Sequence, residues 1–198
     1  MDKDEVEINH MKYLLKLDEK YSEKFQKKFS TPVLFRIAAF FSHTGDSWLW
    51  CGILFLIWIF SSGEQQKVLA FWGLSIAFTA FFIFFLKKVI HRSRPEGEWG
   101  MVYRKRDPHS FPSGHAVRAG LILMLAWKTF GMPYFLVFLI WAVLMIHSRV
   151  ITGVHYLLDI YLGVIFGLLI GCILIGSQDW IYQSFPLLFD RSGWVYIF

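Results

Sequence analysis

Five stretches of the chain carry the hydrophobic pattern of membrane helices. They are 48–60, bracketed by Asp46 and Glu64; 68–86, without a charge; 116–130, interrupted by Arg118 and Lys128; 134–147, following Pro133; and 160–176, again without a charge. About 20 apolar residues span a bilayer, and shorter runs suffice where flanking side chains snorkel or neighbouring helices pack. A sixth apolar run, 33–41, is too short to cross and contains Arg36. Thr31 and Pro32 ahead of it read as an N-cap and a first helical position, so 31–43 dips into the interface or packs on the bundle. The first 29 residues differ: seven Lys and seven Asp or Glu surround Ile8, Met11, Leu14, Leu15, Tyr21 and Phe25 at roughly helical spacing. Two placements fit, an amphipathic helix on the membrane surface or a solvated helix packed on the protein.

Composition supports this picture. Hydrophobic residues are 56 % of the 198, aromatic residues 19 % and charged residues 18 %, with mean hydropathy +0.46. Ordinary soluble domains are about 25 % charged, and a soluble chain of this size lacks the interior to hide so much apolar surface. The expected fold is all-α: a polytopic transmembrane bundle of five to six membrane helices with an N-terminal interfacial amphipathic helix. Residues 1–43 form the interfacial part and 44–198 the membrane-embedded part. The net charge of +5 comes without zinc spacing or an aromatic-and-basic single-strand motif, so it points to anionic lipid or an anionic substrate rather than nucleic acid. Cys51 and Cys172 lie inside apolar runs and give no disulfide framework. The charge of the first thirty residues argues against a cleavable signal peptide.

Alternating spans bring four points to one face of the membrane: Lys87, His115, Arg149 and His155. Ionisable residues at such depths are costly and usually functional. Lys87 and Arg94, seven apart, point the same way from a helix end that Pro95 terminates. Ser110-Phe111-Pro112-Ser113-Gly114-His115 opens the third span and offers a hydroxyl and free N–H groups to an anion. Ser148-Arg149 precedes His155 and Asp159, whose i, i+4 spacing lets the carboxylate accept a hydrogen bond from the Nδ1 proton and leave Nε2 as a nucleophile. Each segment alone also has a plainer reading: snorkelling cations, a Ser N-cap, a structural His–Asp pair.

Together, in this order and each beside a span, Lys87-x6-Arg94-Pro95, Pro112-Ser113-Gly114-His115 and Ser148-Arg149-x5-His155-x3-Asp159 resemble the type 2 phosphatidic acid phosphatase family at all eleven positions. The resemblance implies a membrane lipid phosphatase. Its phosphate cradle is Lys87, Arg94, Arg149, Ser113 and the Gly114 N–H. His155 is the nucleophile that forms a phosphohistidine, Asp159 orients it, and His115 is the acid for the leaving alcohol. No metal or other cofactor is implied, because the cradle's cations offset the charge. The implied partners are membrane lipids and a lipid phosphate substrate: phosphatidate, phosphatidylglycerol phosphate, the 1-phosphate of lipid A or a polyprenyl diphosphate. The run from Phe111 to Ala119 also looks like polyisoprenoid diphosphate phosphatases.

Weaker candidates are the basic run Arg104, Lys105 and Arg106, which could hold a second phosphate or form a solvated loop; His91, His109 and His147; and Glu96 and Glu98. A transporter or channel for anionic lipid or phosphate uses the same cations but leaves the histidines unexplained. Vanadate-type haloperoxidases share the pocket but are soluble. Orientation pulls two ways. Seventeen Lys and Arg fall on the site's side and three, Lys67, Lys128 and Arg191, on the other, which points to the cytoplasm. The resemblance implies the outer face of a prokaryotic plasma or inner membrane.

Overall fold

The computed structural model describes residues 3–96, 99, 105 and 107–189. Among them are nine helices and no strand: α1 (Lys3–Phe29), α2 (Pro32–Thr44), α3 (Ser47–Phe60), α4 (Gly63–Val89), α5 (Gly114–Phe130), α6 (Met132–Ile151), α7 (Leu157–Gly176), α8 (Gln178–Ser184) and α9 (Pro186–Phe189). Helices α4, α6 and α7 are each long and apolar enough to cross a membrane, and α3 is a shorter apolar helix. Their outward faces carry exposed Phe81, Phe82, Phe85, Val137, Ile140 and Ile173. Such a belt is stable only against lipid, and the chain is an integral membrane protein.

Helix α5 sits at the centre. Its residues from Ala116 to Leu123 are buried on every side, Arg118 among them, so protein and not lipid surrounds it. It packs most closely on α7. Gly163, Gly167 and Gly171 recur every fourth residue along α7, and the two backbones nearly touch there. A Cβ at Gly167 would lie 1.9 Å from the Val117 carbonyl oxygen, and one at Gly120 of α5 would lie 2.3 Å from the Val164 carbonyl. Helix association inside a bilayer gains little from the hydrophobic effect and relies on such close approach of small residues. Gly163 faces Ser113 to Val117, while Gly171 faces Leu121 and Met124. The helices therefore run parallel, with their N-termini side by side. The Ser113 N–H donates to the Asp159 carbonyl at 3.1 Å across that junction.

Helix α2, 13 residues or about 20 Å long, lies against α6. Thr31 caps it through Oγ1, accepting from the Leu34 N–H at 3.3 Å, with Pro32 in the first turn. Its C-terminal Thr44 is pinned by two indoles: Trp50 donates to its carbonyl at 2.9 Å and Trp141 to its hydroxyl at 3.0 Å. Helix α1 docks its second half on α6 and α7. Phe25 stacks beside His147 at 5.6 Å, and Asp18 and Ser22 are buried, while Met11, Leu14 and Tyr21 stay exposed.

Candidate active site

The end of α4, the loop after it, the start of α5, the end of α6 and the start of α7 meet at one face. Lys87 projects from the last turn of α4 and is buried. Its Nζ donates to Asp107 Oδ2 at 2.5 Å and to the His109 carbonyl at 3.1 Å. Arg94 donates to the same Asp107 oxygen at 2.7 Å, to the Asp107 carbonyl at 2.7 Å and to the Val154 carbonyl at 3.0 Å. One carboxylate oxygen thus bridges two cations that the sequence assigns to phosphate. Arg149 is 1 % exposed and donates to Ser42 Oγ of α2. Its carbonyl accepts from the Val154 and His155 N–H groups at 3.0 and 3.2 Å, which closes the turn that presents His155. Ser113 is fully buried, and its hydroxyl has no hydrogen-bond partner among the described residues. An orphaned buried hydroxyl calls for an explanation, and an anion on the cradle supplies one.

His155 is 2 % exposed. Its Nε2 lies 3.2 Å from Arg94 Nη1. A guanidinium has only donors, so Nε2 accepts, and the proton of the neutral ring sits on Nδ1. That nitrogen faces Asp159 Oδ2 at 3.4 Å, a contact not aligned as a hydrogen bond. Burial, and then the charges of Arg94, Arg149 and Lys87, push the imidazole well below its ordinary value near 6.5. His155 is therefore a neutral base with its lone pair aimed among cations.

His115, in the first turn of α5, is held from a different direction. Its Nε2 lies 2.9 Å from Asp46 Oδ1, in the turn between α2 and α3, and Asp46 Oδ2 lies 3.3 Å from His43 Nδ1. Burial pushes the Asp46 carboxyl up, but bonds to and charge from His115 and His43 outweigh this and hold it at about 2. Asp46 stays anionic beside the ring. Gly45 makes the approach possible: a Cβ there would meet His115 Cδ2 and Met145 Sδ, both at 2.7 Å. Arg118 Nε donates to the Gly45 carbonyl at 2.7 Å. Arg118 also lines a cavity of about 450 Å³, together with Ala80, Ile83, Phe84, Lys87 and Lys88 of α4 and with Asp107, His109 and Gly114.

Asp159 is fully buried. Its Oδ2 accepts from the Tyr156 N–H at 3.0 Å, and its Oδ1 accepts from Arg92 at 2.7 Å.

The structure thus brings together Lys87, Arg94, Arg149, Ser113, Gly114, His115, His155 and Asp159. Reasoning from sequence missed Asp18, Ser42, Asp46, Arg92, Asp107 and the inward course of Arg118. Arg118 alone left a usable signal, as a charge inside an apolar run. His109 lines the cavity, and its ring meets His91 at 4.7 Å. His147 bonds to the Val143 carbonyl and the Tyr161 hydroxyl instead. Arg104, Arg106 and Glu98 lie outside the described residues; Lys105 is exposed. Among the described residues no group of three or more His, Cys, Asp or Glu gathers as a metal site.

Comparison with known proteins adds two findings. The model of the PAP2 superfamily matches residues 68–183. Two crystal structures share the fold. The first transmembrane PAP2 type phosphatidylglycerolphosphate phosphatase from Bacillus subtilis is 22 % identical over 85 % of this chain and 88 % of its own, with a TM-score of 0.70. Aquifex aeolicus LpxE is 22 % identical over 78 % of this chain and 93 % of its own, with a TM-score of 0.61.

Proposed function

The chain belongs to the PAP2 superfamily, and on that footing we propose that it is a membrane lipid phosphatase working through a phosphohistidine without a metal. The observation that carries this reading is the contact between Arg94 Nη1 and His155 Nε2 at 3.2 Å. Arg94 donates to Nε2, so the lone pair that attacks phosphorus already points at a phosphate-binding cation. Lys87, Arg94, Arg149, the Ser113 hydroxyl and the Gly114 N–H hold the non-bridging oxygens, and Arg suits this task because its planar fork matches two oxygens. Nε2 forms the N–P bond as the P–O bond to the lipid breaks. His115 gives its proton to the departing oxygen, and Asp46 stabilises the charged ring beforehand. Asp159 offsets the charge on phosphorylated His155. Water, losing a proton to His115, then attacks phosphorus and releases inorganic phosphate. Fixed positive groups supply most of the stabilisation in such loose transition states.

The cavity's lining joins apolar Ala80, Ile83 and Phe84 to the cations Lys87, Lys88 and Arg118, which suits a phosphate on a hydrocarbon tail entering from the bilayer. Phosphatidylglycerol phosphate is the substrate named for one structural neighbour; phosphatidate, lipid A 1-phosphate and polyprenyl diphosphates share the chemistry. Arg118 favours a second anionic group next to the scissile phosphate. It is 5 % exposed, bonded to protein through Nε, and lines the cavity from a position close to His115, where the leaving group departs. We place the site on the outer face of a prokaryotic plasma or inner membrane. The test is phosphate release from a panel of lipid mono- and diphosphates in detergent. His155→Ala is expected to lose several orders of magnitude on every one of them. Near-normal release by that variant overturns the mechanism, and transport without release favours a carrier.

A further inference from the structure

Arg92 lies between Lys87 and Arg94 but points away from the phosphate cradle. One end of its guanidinium donates to Asp159 Oδ1 at 2.7 Å and the other to Asp18 Oδ2 of α1 at 2.6 Å. Its flat face covers the Tyr156 ring at 4.2 Å. Asp18 and Asp159 are both buried. The same Asp18 also serves the backbone of α7: its Oδ1 accepts from the Leu158 N–H at 3.0 Å, while Ser22 Oγ accepts from the Leu157 N–H at 2.9 Å. The first N–H groups of a helix have no partner within it. Here, the first two of α7, two and three residues after His155, are capped by side chains of another helix.

We infer that Arg92, clamped by Asp18, is a positioning residue for the Asp159–His155 pair, and that α1 thereby completes the support of the nucleophile. The inference rests on the phosphatase reading above. Asp159 has two jobs for its oxygens. Oδ1 is committed to Arg92. Oδ2, bonded to the Tyr156 N–H, is the atom facing His155 Nδ1. Without Arg92 the buried carboxylate keeps its charge but has only the Tyr156 N–H and the Ser110 hydroxyl as partners, and it is free to rotate. Rotation carries the negative edge away from the Nδ1–H that it faces at 3.4 Å. Asp18 matters because it holds the far end of Arg92 and fixes the turn that carries His155. Lysine cannot replace this arrangement fully, since a single ammonium does not span two carboxylates in one plane.

The groups that set the charge around His155 are Lys87 from α4, Arg92, Arg94 and Asp107 from the following loop, Arg149 from α6, Asp18 from α1 and Asp159 from α7. Removing one cation and removing one anion must therefore shift its titration in opposite directions. An Arg92→Gln change leaves Asp159 uncompensated and favours the charged ring, so the acid limb of kcat/KM moves to higher pH. Asp18→Asn leaves Arg92 with more of its charge directed at the pair, so the limb moves lower.

The experiment uses the full chain in detergent micelles with a lipid phosphate that the wild type hydrolyses. It measures kcat, KM, inhibition by inorganic phosphate, vanadate binding, the pH profile and thermal unfolding for Arg92→Gln, Arg92→Lys and Asp18→Asn. A displacement of the order of 1 Å at a reacting group costs about 10²-fold. Arg92→Gln is thus expected to lower kcat by about 10- to 100-fold. KM and phosphate inhibition should stay within about threefold, because Lys87, Arg94 and Arg149 are untouched. Vanadate, which bonds to the nucleophile, should weaken about as much as kcat falls. Arg92→Lys should recover part of the loss, and Arg92→Gln combined with Asp18→Asn should be no worse than Arg92→Gln alone. Variants that unfold more easily but keep wild-type kcat and an unmoved acid limb overturn the inference and leave Arg92 a simple anchor for α1. Wild-type protein that binds vanadate but releases phosphate from no lipid overturns the phosphatase reading instead. The vanadate ratio between wild type and Arg92→Gln then decides the role of Arg92.

Discussion

Gly163 lies where the α5–α7 seam meets the chemistry, and replacing it with alanine measures how much register the site needs. The added Cβ would stand 2.9 Å from Ala116 Cβ, 3.1 Å from the Ser113 carbonyl oxygen and 3.5 Å from the Val117 nitrogen. Carbon atoms settle at about 3.5–4.0 Å, so the helices must part there by roughly 0.6–1 Å. Overpacking of this kind costs about 1–3 kcal/mol, against which alanine returns up to about 1 kcal/mol in helix propensity. Stability should therefore fall modestly. Activity should fall further, because the same opening stretches the Ser113–Asp159 bond and moves His155 away from Ser113. With about 10²-fold at stake per ångström of misplacement, kcat should drop by about ten- to a hundredfold. The assay is phosphate release per folded molecule, with thermal unfolding in the same detergent. Gly73→Ala is the control, since nothing beyond the local backbone of its own helix lies within 4 Å of its Cβ; it should keep full activity and unfold no earlier. Wild-type kcat and stability in Gly163→Ala would refute the view that backbone contact between these helices aligns the two halves of the site.

Other expectations follow from the same geometry. His115→Ala should slow lipid phosphate hydrolysis by about 10²–10⁴-fold and spare an activated aryl phosphate, whose leaving group needs no proton; equal losses on both would make His115 structural. Activity should persist in EDTA and be blocked by orthovanadate, which mimics in-line attack by His155; loss on chelation with recovery on adding magnesium contradicts a metal-free cradle. Since His155 is depressed well below 6.5 in the folded protein, the acid limb of kcat/KM should lie below that value and rise in Arg149→Gln, which removes a repelling cation. The unfolded chain takes up the proton first, so this residue's contribution to stability declines as pH falls below about 6.5. A limb at or above 6.5 in the wild type, seen in a kcat/KM profile between pH 4 and 8, contradicts the neutral buried imidazole.

The spans were legible because lipid imposes a one-dimensional rule: a run of apolar residues must be long enough. Segments 68–86 and 160–176 lie inside α4 and α7 for that reason. The convergence of Lys87, His115, Arg149 and His155 followed from counting crossings. Helix α5 strained the rule, because Arg118 in an apolar run reads as an interruption, whereas the structure turns it inward onto the Gly45 carbonyl. The partners of the motif residues were not legible. Asp18 is one of six acids on a highly charged helix, and nothing local marks it as the buried one. Asp46 looks like a span boundary, although it faces His115 across 69 positions of sequence. These contacts depend on how α1 and the α2–α3 turn fold back on the bundle, and that information is spread over the packing of many side chains. The GxxxG spacing at Gly163, Gly167 and Gly171 lay open to a pattern search for small-residue seams.

The burial of α5 on all sides bears on how the protein is made. A helix with an arginine in its second turn is a poor candidate for leaving the insertion machinery alone; such a charge costs up to about 2.5–3.5 kcal/mol, the value at the centre of a bilayer. Its closest companion, α7, is also the last of the five spans to be synthesised. The third span must therefore be sheltered by α3 and α4, or held back, until residues beyond 157 have emerged. The protein cannot carry out chemistry while still growing: His155 and Asp159 arrive with the helix that closes the bundle, and a chain that stalls before it leaves a charged segment in lipid with nothing to cover it. Premature termination in α7 should thus produce a substrate for membrane quality control and not a weakened enzyme.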